Sequence, residues 1–421
     1  MTVTETTATL PIQSWMRAPE TKAVIAALEA AGGAGCARFV GGCVRNALTR
    51  HPVEDVDIAT VLTPDRVIAA LQAAGLKAVP TGVDHGTVTA VSGGRPFEIT
   101  TLRRDVETDG RRAVVAFTTD WAEDAQRRDF RLNAIYADAE GRLFDPTGEG
   151  VADARAGRIV FVGDAETRIL EDALRILRFF RFLAWYGKGE PDAVALTACE
   201  GLKDRIETLS AERVSKELLK LLAADDPRPV VRLMAATGVL GVALPEARDI
   251  LRFERLVAIE TEQLFQCDPE LRLGALLPND PAVAAACAER LRLSNAQRDR
   301  LIAMLQPEPV IASWMSPREA RRMVYRLGHA AFADRILLAW AGSERRAAGV
   351  QWRALLPMAQ TWPKPSFPLT GEEVIAAGAP KGPMVGAVMR EVEAWWIEND
   401  FTDDKLSMIE RLKAVVQGMA Y

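Results

Sequence analysis

Up to about residue 150 the apolar positions come in short runs separated by Gly, Pro and Asp: ARFV (37–40), VDIAT (56–60), TVTAV (87–91), FEITTL (97–102) and the segment after Arg131. Runs of this length, rich in β-branched and aromatic residues, predict strands mixed with helices. From about residue 165 the spacing becomes helical nearly to the C-terminus, so the pattern predicts an α+β head with a mixed β-sheet, followed by an all-α remainder. Turn-forming residues at 225–229, at 277–281 and in TWPKPSFPLTG (361–371) are the expected breaks. The expected division is a head over 1–150 followed by helical units over 151–228, 229–330 and 331–421. No fixed-period repeat accompanies the helix pairs.

With 421 residues, the chain has room for several packed units. Its net charge of −5 announces no nucleic-acid partner, so an RNA site would have to be a local basic patch. Arg318, Arg321, Arg322, Arg326, Arg345 and Arg346 are candidates for one. Cys36, Cys43, Cys199, Cys267 and Cys287 are odd in number and never form C-x-x-C, which argues against a disulfide framework or a zinc site. The N-terminal MTVTETTATLPIQSW has neither the early basic residues nor the apolar run of a signal peptide, and no later stretch suits a membrane span. A cytoplasmic protein without membrane or DNA partners is the expectation.

Asp55 and Asp57 stand two apart in EDVDIAT. On a strand, positions i and i+2 share a face, so both carboxylates would converge. Two such charges raise each other's pKa unless a cation lies between them, and Mg²⁺ is the natural one. Glu98 in FEITTL is a candidate third acid on a neighbouring strand. Alone, D-x-D also suits a solvated strand edge or a metal-dependent glycosyltransferase. Fifteen residues earlier, ARFVGGCVRNAL reads as strand, Gly41–Gly42, and a helix beginning near Cys43, with Arg45 in its first turn. Two glycines allow close backbone approach, and a helix N-terminus attracts phosphate. A GG before a helix can equally be a tight turn; beside D-x-D it reads as a triphosphate and metal site.

GGCVRNAL, DVDIAT, FEITTLRRD and RRDFRLNA occur in this order, and over about residues 35 to 225 the sequence resembles the bacterial-type (class II) CCA-adding enzymes and poly(A) polymerases of the nucleotidyltransferase superfamily. The resemblance implies a nucleotidyltransferase head with a helical neck, body and tail. It implies a template-independent addition or repair of the 3′ CCA end of tRNA from CTP and ATP, with pyrophosphate released. By the same resemblance Asp55 and Asp57 hold the catalytic metals, and Gly41, Gly42 and Arg45 hold the triphosphate. Arg127, Arg128, Asp129 and Asn133 line the nucleotide site, and Glu98 is the third acid. Two residues depart from the family pattern. Asn46 replaces an Asp after the arginine, weakening the expected orientation of Arg45, and Arg131 replaces a Thr, adding positive charge near primer or ribose.

EDALRILRFFRF offers a means of choosing a base without a template. Asp172 and Arg175 are three apart and, on one helix, neighbours on one face. Cytosine and adenine both show an amino donor beside a ring-nitrogen acceptor, so Asp172 accepts while Arg175 donates. Uracil and guanine meet like with like, at roughly 1–3 kcal/mol per unsatisfied buried group. A plain helix ion pair, Glu171 to Arg175, is the alternative. In the family this segment is the amino-acid template.

The polar stretch RRDVETDGRRAVVAFTTDWAEDAQ reads as a mobile loop, and the family uses a flexible element here to switch from C to A. LSAERVSKELLKLL (209–222), an amphipathic helix capped by Ser210, matches a family motif that braces the preceding helix. His51, His85 and His329 form no His-Asp dipeptide, so no phosphohydrolase activity is expected. A poly(A) polymerase with the same site is the nearest alternative; a glycosyltransferase leaves E-D-x-x-R unexplained.

Overall fold

The structure, a computed structural model, describes residues 5–109, 112–343, 349–401 and 404–419. The chain divides into two compact units, Met1–Pro245 and Glu246–Tyr421.

The first unit is built on β1 (Glu5–Thr9), β2 (Ala37–Val40), β3 (Asp57–Thr60), β4 (Lys77–Gly82), β5 (Thr87–Ser92) and β6 (Arg95–Thr101), with β7 (Arg103–Asp109), β8 (Arg112–Phe117), β9 (Tyr136–Ala137) and β10 (Arg142–Phe144) following. Eight of these form one sheet in the order β1-β10-β9-β2-β3-β6-β5-β4. Only β3 and β6 pair in parallel; the other pairs are antiparallel. The period-2 pattern in TVTAVS is a real two-faced strand, since Val88, Ala90 and Ser92 are buried while their neighbours are partly open. Helices Pro19–Gly32 and Pro64–Ala73, each opened by a proline, pack on one another and on β5. The α+β head and helical remainder are thus as the sequence pattern predicts.

The polar stretch expected to be a loop forms, among its described residues, a separate two-stranded ribbon, β7 against β8, and then a short helix, Trp121–Gln126. Its base is closed by the Thr118 N–H donating to the Leu102 carbonyl at 2.9 Å. The unbroken apolar run after Arg112 in RAVVAF carried this signal beneath the surrounding charge.

Beyond the sheet the first unit is helical. Helix Leu174–Tyr186 buries Phe179, Phe180 and Phe182, and Phe130 and Phe161 from the end of the head meet Phe179 and Phe182 with ring centroids 5.1–6.4 Å apart. Burying each such ring contributes roughly 1.5–3 kcal/mol, so this cluster fixes the helix against the head.

The second unit is all helical, from Ile250–Gln263 to Lys405–Met419. A buried Arg272–Glu260 pair at 2.7 Å joins two of its helices, and Trp396 centres an aromatic cluster with Tyr325, Phe367 and Phe401. The arginines expected to offer a basic surface are largely engaged. Arg322 donates to the Ile397 and Glu398 carbonyls at 3.2 and 2.8 Å, Arg318 donates to Glu398 at 3.2 Å, and Arg321 pairs with Asp400. They cap the end of helix Pro383–Glu398, where cations meet unpaired carbonyls and the negative end of the dipole. Arg326 is exposed, and Arg345 and Arg346 lie outside the described residues.

Candidate active site

Strand register assembles the site at one end of the central strands. β2 and β3 pair antiparallel with Phe39 opposite Ile58, so the end of β2 meets the start of β3, and Asp57 pairs with Glu98 across the parallel β3–β6 ladder. The turn after β2 needs Gly41, whose φ of 69° is unfavourable for other residues, and helix Gly42–Thr49 follows at once. Cys43 locks that helix down, its thiol donating to the Val40 and Asp57 carbonyls at 3.3 and 3.7 Å. The glycine turn, Asp57 and Glu98 therefore lie side by side.

Asp55 precedes the strand rather than lying on it, because β3 begins at Asp57. The two carboxylates still feel each other. Burial, then Glu98 and Asp55 alongside, push the Asp57 carboxyl up to about 6 against the pull of Arg128 and Arg45. Asp55 and Glu98 are exposed. Among the described residues, no three His, Cys, Asp or Glu side chains converge closely enough to hold a metal ion by themselves. Mg²⁺ usually takes only one or two protein carboxylates and completes its shell with water and substrate phosphates, so a mutually repelling acid pair beside a glycine turn fits it.

Arg45 is buried, and four of its five N–H groups are engaged. Nη1 donates to Asn133 Oδ1 at 2.7 Å, Nη2 to Tyr186 Oη at 2.9 Å, and Nε and Nη2 to Asn46 Oδ1 at 3.1 and 2.8 Å. Asn46 therefore orients Arg45 directly, and the expected weakening is not found: one amide oxygen supplies the acceptor a carboxylate would. A side-chain carbon on Gly42 would come 3.7 Å from Arg45 Nη2, and one on Gly41 3.8 Å from Arg128 Nη1, so two guanidinium groups flank the glycine turn.

The RRDFRLN segment supplies the supports. Asn133 Nδ2 donates to Asp129 Oδ1 at 2.9 Å, and Asp129 Oδ2 accepts from Arg178 Nε at 2.8 Å. Burial raises the Asp129 pKa, yet Arg178 and these hydrogen bonds outweigh it and hold the carboxyl down at about 2. Arg127 and Arg128 share a buried acceptor, Asp124, which takes bonds from Arg127 Nε at 2.9 Å, Arg128 Nη2 at 2.8 Å and Tyr136 Oη at 2.8 Å. Its burial cost is exceeded by the two guanidinium groups, so its pKa falls well below the carboxylate range. Arg131 pairs with Glu149 and lies 3.7 Å from Asp153, so its charge is met by two carboxylates of the head.

Asp172 and Arg175 do not share a helix. Helix Ala165–Glu171 ends at Asp172, which adopts extended φ/ψ of −154° and 104°, and the next helix starts at Leu174. Asp172 Oδ2 accepts from Arg213 Nη2 at 2.7 Å, and Oδ1 from the Leu174 N–H at 3.1 Å. Arg175 Nη1 donates to Glu171 Oε2 at 2.5 Å and to the Arg168 carbonyl at 2.8 Å, and Nη2 to the Arg127 carbonyl at 3.3 Å. The Glu171–Arg175 ion pair is thus present, while the contact to Arg127 ties the segment to the nucleotide motif. Each carboxylate oxygen keeps a second lone pair, and three of the five Arg175 N–H groups are engaged in these contacts.

Sequence reading missed Asp124, Tyr186, Arg178, Arg213 and Glu217. Arg178 and Arg181 converge on Glu217 of helix Ala211–Leu222, at 3.9 Å for Arg178, and the same helix carries Arg213. The repeated arginines of LRILRFFRF and the acid four residues before Arg128 were the available signals.

A sheet whose glycine turn and paired acids meet beside a chain of buried guanidinium contacts defines a nucleotidyltransferase head. In agreement, residues 37–160 match the family described as Poly A polymerase head domain, and residues 191–251 that described as probable RNA and SrmB-binding site of polymerase A. The chain is 31% identical over 394 residues to mitochondrial CCA tRNA nucleotidyltransferase 1 of Mus musculus, covering 89% of this chain and 86% of that protein. It is 30% identical over 380 residues to the CCA-adding enzyme of Latilactobacillus sakei, covering 89% and 94%. The solved Bacillus stearothermophilus CCA-adding enzyme in complex with CTP aligns with a TM-score of 0.76 at 25% identity over 96% of this chain and 99% of that one. The chain belongs to the CCA-adding tRNA nucleotidyltransferase family.

Proposed function

We propose that this chain builds and repairs the 3′ CCA end of tRNA from CTP and ATP without a nucleic-acid template. The observation that carries this reading is one continuous set of contacts in the first unit. It runs from the glycine turn through Arg45, Asn133, Asp129 and Arg178 to the helix that also holds Asp172 through Arg213. Relatives similar over nearly the whole chain bear the name of that activity, and one was solved with CTP.

The RNA 3′-hydroxyl attacks the α-phosphate in line, and pyrophosphate leaves. Gly41 and Gly42 admit the triphosphate to the backbone, with the Arg45 and Arg128 guanidinium groups beneath it. Asp55 and Asp57, with Glu98 beside them, would hold Mg²⁺, which when bound supplies a lowered hydroxyl pKa and neutralises charge on the leaving group. Asp129 and Asn133 face the ribose and keep Arg45 in place. Asp172 accepts from the exocyclic amino group of C or A, and Arg175 donates to the ring nitrogen. Both are anchored before substrate arrives, which limits reorganisation. The division into head, neck, body and tail belongs to the same reading. So does placement in the cytoplasm; among the described residues no helix is long and apolar enough to cross a membrane.

Extension of tRNA lacking its CCA, with CTP and ATP supplied, tests the proposal. Addition of three nucleotides followed by a stop supports it. A long A tract indicates the poly(A) polymerase reading, and no incorporation at all rejects both.

A further inference from the structure

The helix that carries Arg175 in its first turn ends on Tyr186, a residue the roles above do not use. At 1.5 Å per residue its 13 residues span about 20 Å, so its two ends serve two separate places. The far end returns to the glycine turn. Tyr186 is buried, and its hydroxyl closes a triangle with Arg45 and Asn46: it accepts from Arg45 Nη2 at 2.9 Å and donates to Asn46 Oδ1 at 3.1 Å. Asn46 Oδ1 in turn accepts from Arg45 Nε and Nη2 at 3.1 and 2.8 Å. One proton and two lone pairs let the hydroxyl make both contacts at once. The Asn46 amide is held from the other side, where Nδ2 donates to the Pro52 carbonyl at 2.7 Å.

This triangle orients Arg45 without cancelling its charge. Among the described residues its hydrogen-bond partners are two amides and a phenol, Asn46, Asn133 and Tyr186, whereas Arg178 and Arg181 on the same helix meet the carboxylates of Asp129 and Glu217. A neutral acceptor fixes a guanidinium and leaves its positive charge for a phosphate. The Tyr186 ring is itself locked, edge-on to His51 at 4.9 Å and tilted against Phe182 at 5.6 Å, and its centroid lies 4.4 Å from Arg45 Cζ. Ring packing and hydroxyl therefore have separable tasks.

We infer that Tyr186 is a positioning residue for the nucleotide triphosphate: its hydroxyl, with Asn46, fixes the Arg45 guanidinium beside the glycine turn. One rigid helix then carries the base-facing Arg175 at its start and the brace of the triphosphate arginine at its end. The inference rests on the proposed nucleotidyl transfer and adds to it the residue that sets triphosphate affinity through Arg45.

Equilibrium dialysis of CTP and CMP against the full chain without RNA, with kcat and KM for CTP and ATP measured on a tRNA primer, tests it. Tyr186→Phe keeps the ring and deletes the hydroxyl. It should raise Kd and KM for CTP by roughly 3- to 10-fold, the net worth of one hydrogen bond, and KM for ATP equally, since both carry the same triphosphate. Both kcat and the Kd for CMP, which lacks the outer phosphates, should stay within about twofold of the unmodified values. In an Arg45→Met background the same change should have no further effect on Kd for CTP, because a residue acting through Arg45 has nothing left to hold. An unchanged Kd for CTP overturns the assignment, and so does equal weakening of CTP and CMP or a loss of the same size with Arg45 removed. Should Tyr186→Phe fail to fold, Asn46→Ala opens the same triangle and faces the same criteria. If the unmodified chain binds CTP but incorporates nothing, the proposed function fails while the Kd comparisons still decide the role of Tyr186.

Discussion

Arg178→Ala removes the cation that keeps Asp129 ionised in a buried position. Asp129 would keep the Asn133 amide and the Phe130 N–H but lose the guanidinium contact on Oδ2. Its carboxyl stands at about 2 in the folded chain against an ordinary value of 3.8. A depressed carboxylate contributes stability above its unfolded pKa and loses it as pH falls through the folded one. The full contribution, roughly 2–3 kcal/mol, is therefore present at pH 7, falls to about half near pH 3 and is largely gone at pH 2. Arg178 provides the largest opposing effect to burial, so its loss should cost about 2–3 kcal/mol at neutral pH. Urea unfolding of the variant and the unmodified chain at pH 7 and pH 3 measures this. The difference should shrink by about half at the lower pH. A difference below about 0.5 kcal/mol at pH 7, or one that does not change with pH, would mean that Arg178 does not hold the Asp129 charge. Because Asn133 hangs from Asp129 and holds Arg45, KM for nucleotide should rise in the same variant.

Asp57→Ala should abolish incorporation without lowering the melting temperature, since removing one of several repelling carboxylates relieves strain. Near-normal turnover in a single-turnover extension assay would remove the metal assignment. Replacing or shortening the segment over residues 105–112 should spare addition of the two C residues and impair the final A, if movement there reshapes the base pocket. Equal loss of both steps, read as product length on a gel, would assign the ribbon to binding or stability.

The alternation and spacing of apolar residues made the head sheet and helical remainder legible, because periodicity is a local property. Asp57 beside Glu98 was within reach for the same reason, as two short strand-like runs, VDIAT and FEITTL, each with an acid at its second position. What stayed hidden was long-range. Arg45 reads as a phosphate ligand from its place in a first turn, yet its partners Asn133 and Tyr186 lie 88 and 141 residues away. Asp172 and Arg175 look like one helical face because nothing in LEDALR marks a break. The break at Asp172 follows from tertiary contacts, with Arg213 on the carboxylate and Arg127 behind Arg175. Arg131 and the Arg318–Arg322 cluster show how far basic residues mislead when their acceptors are distant. Their charges are spent on Glu149, Asp400 and a helix C-terminus rather than on phosphate.

If anchored side chains choose the base, kcat/KM for CTP, ATP, UTP and GTP on one tRNA primer shows it, since that ratio reports differential transition-state binding. The unmodified chain should favour CTP and ATP by about one and a half to four powers of ten, from roughly 1–3 kcal/mol for each of two unsatisfied groups. Asp172→Ala should lower CTP and ATP use and narrow that advantage, because it deletes an attraction for two bases and a repulsion for the others. If all four nucleotides fall by the same factor, Asp172 supports the helix break and does not read the base.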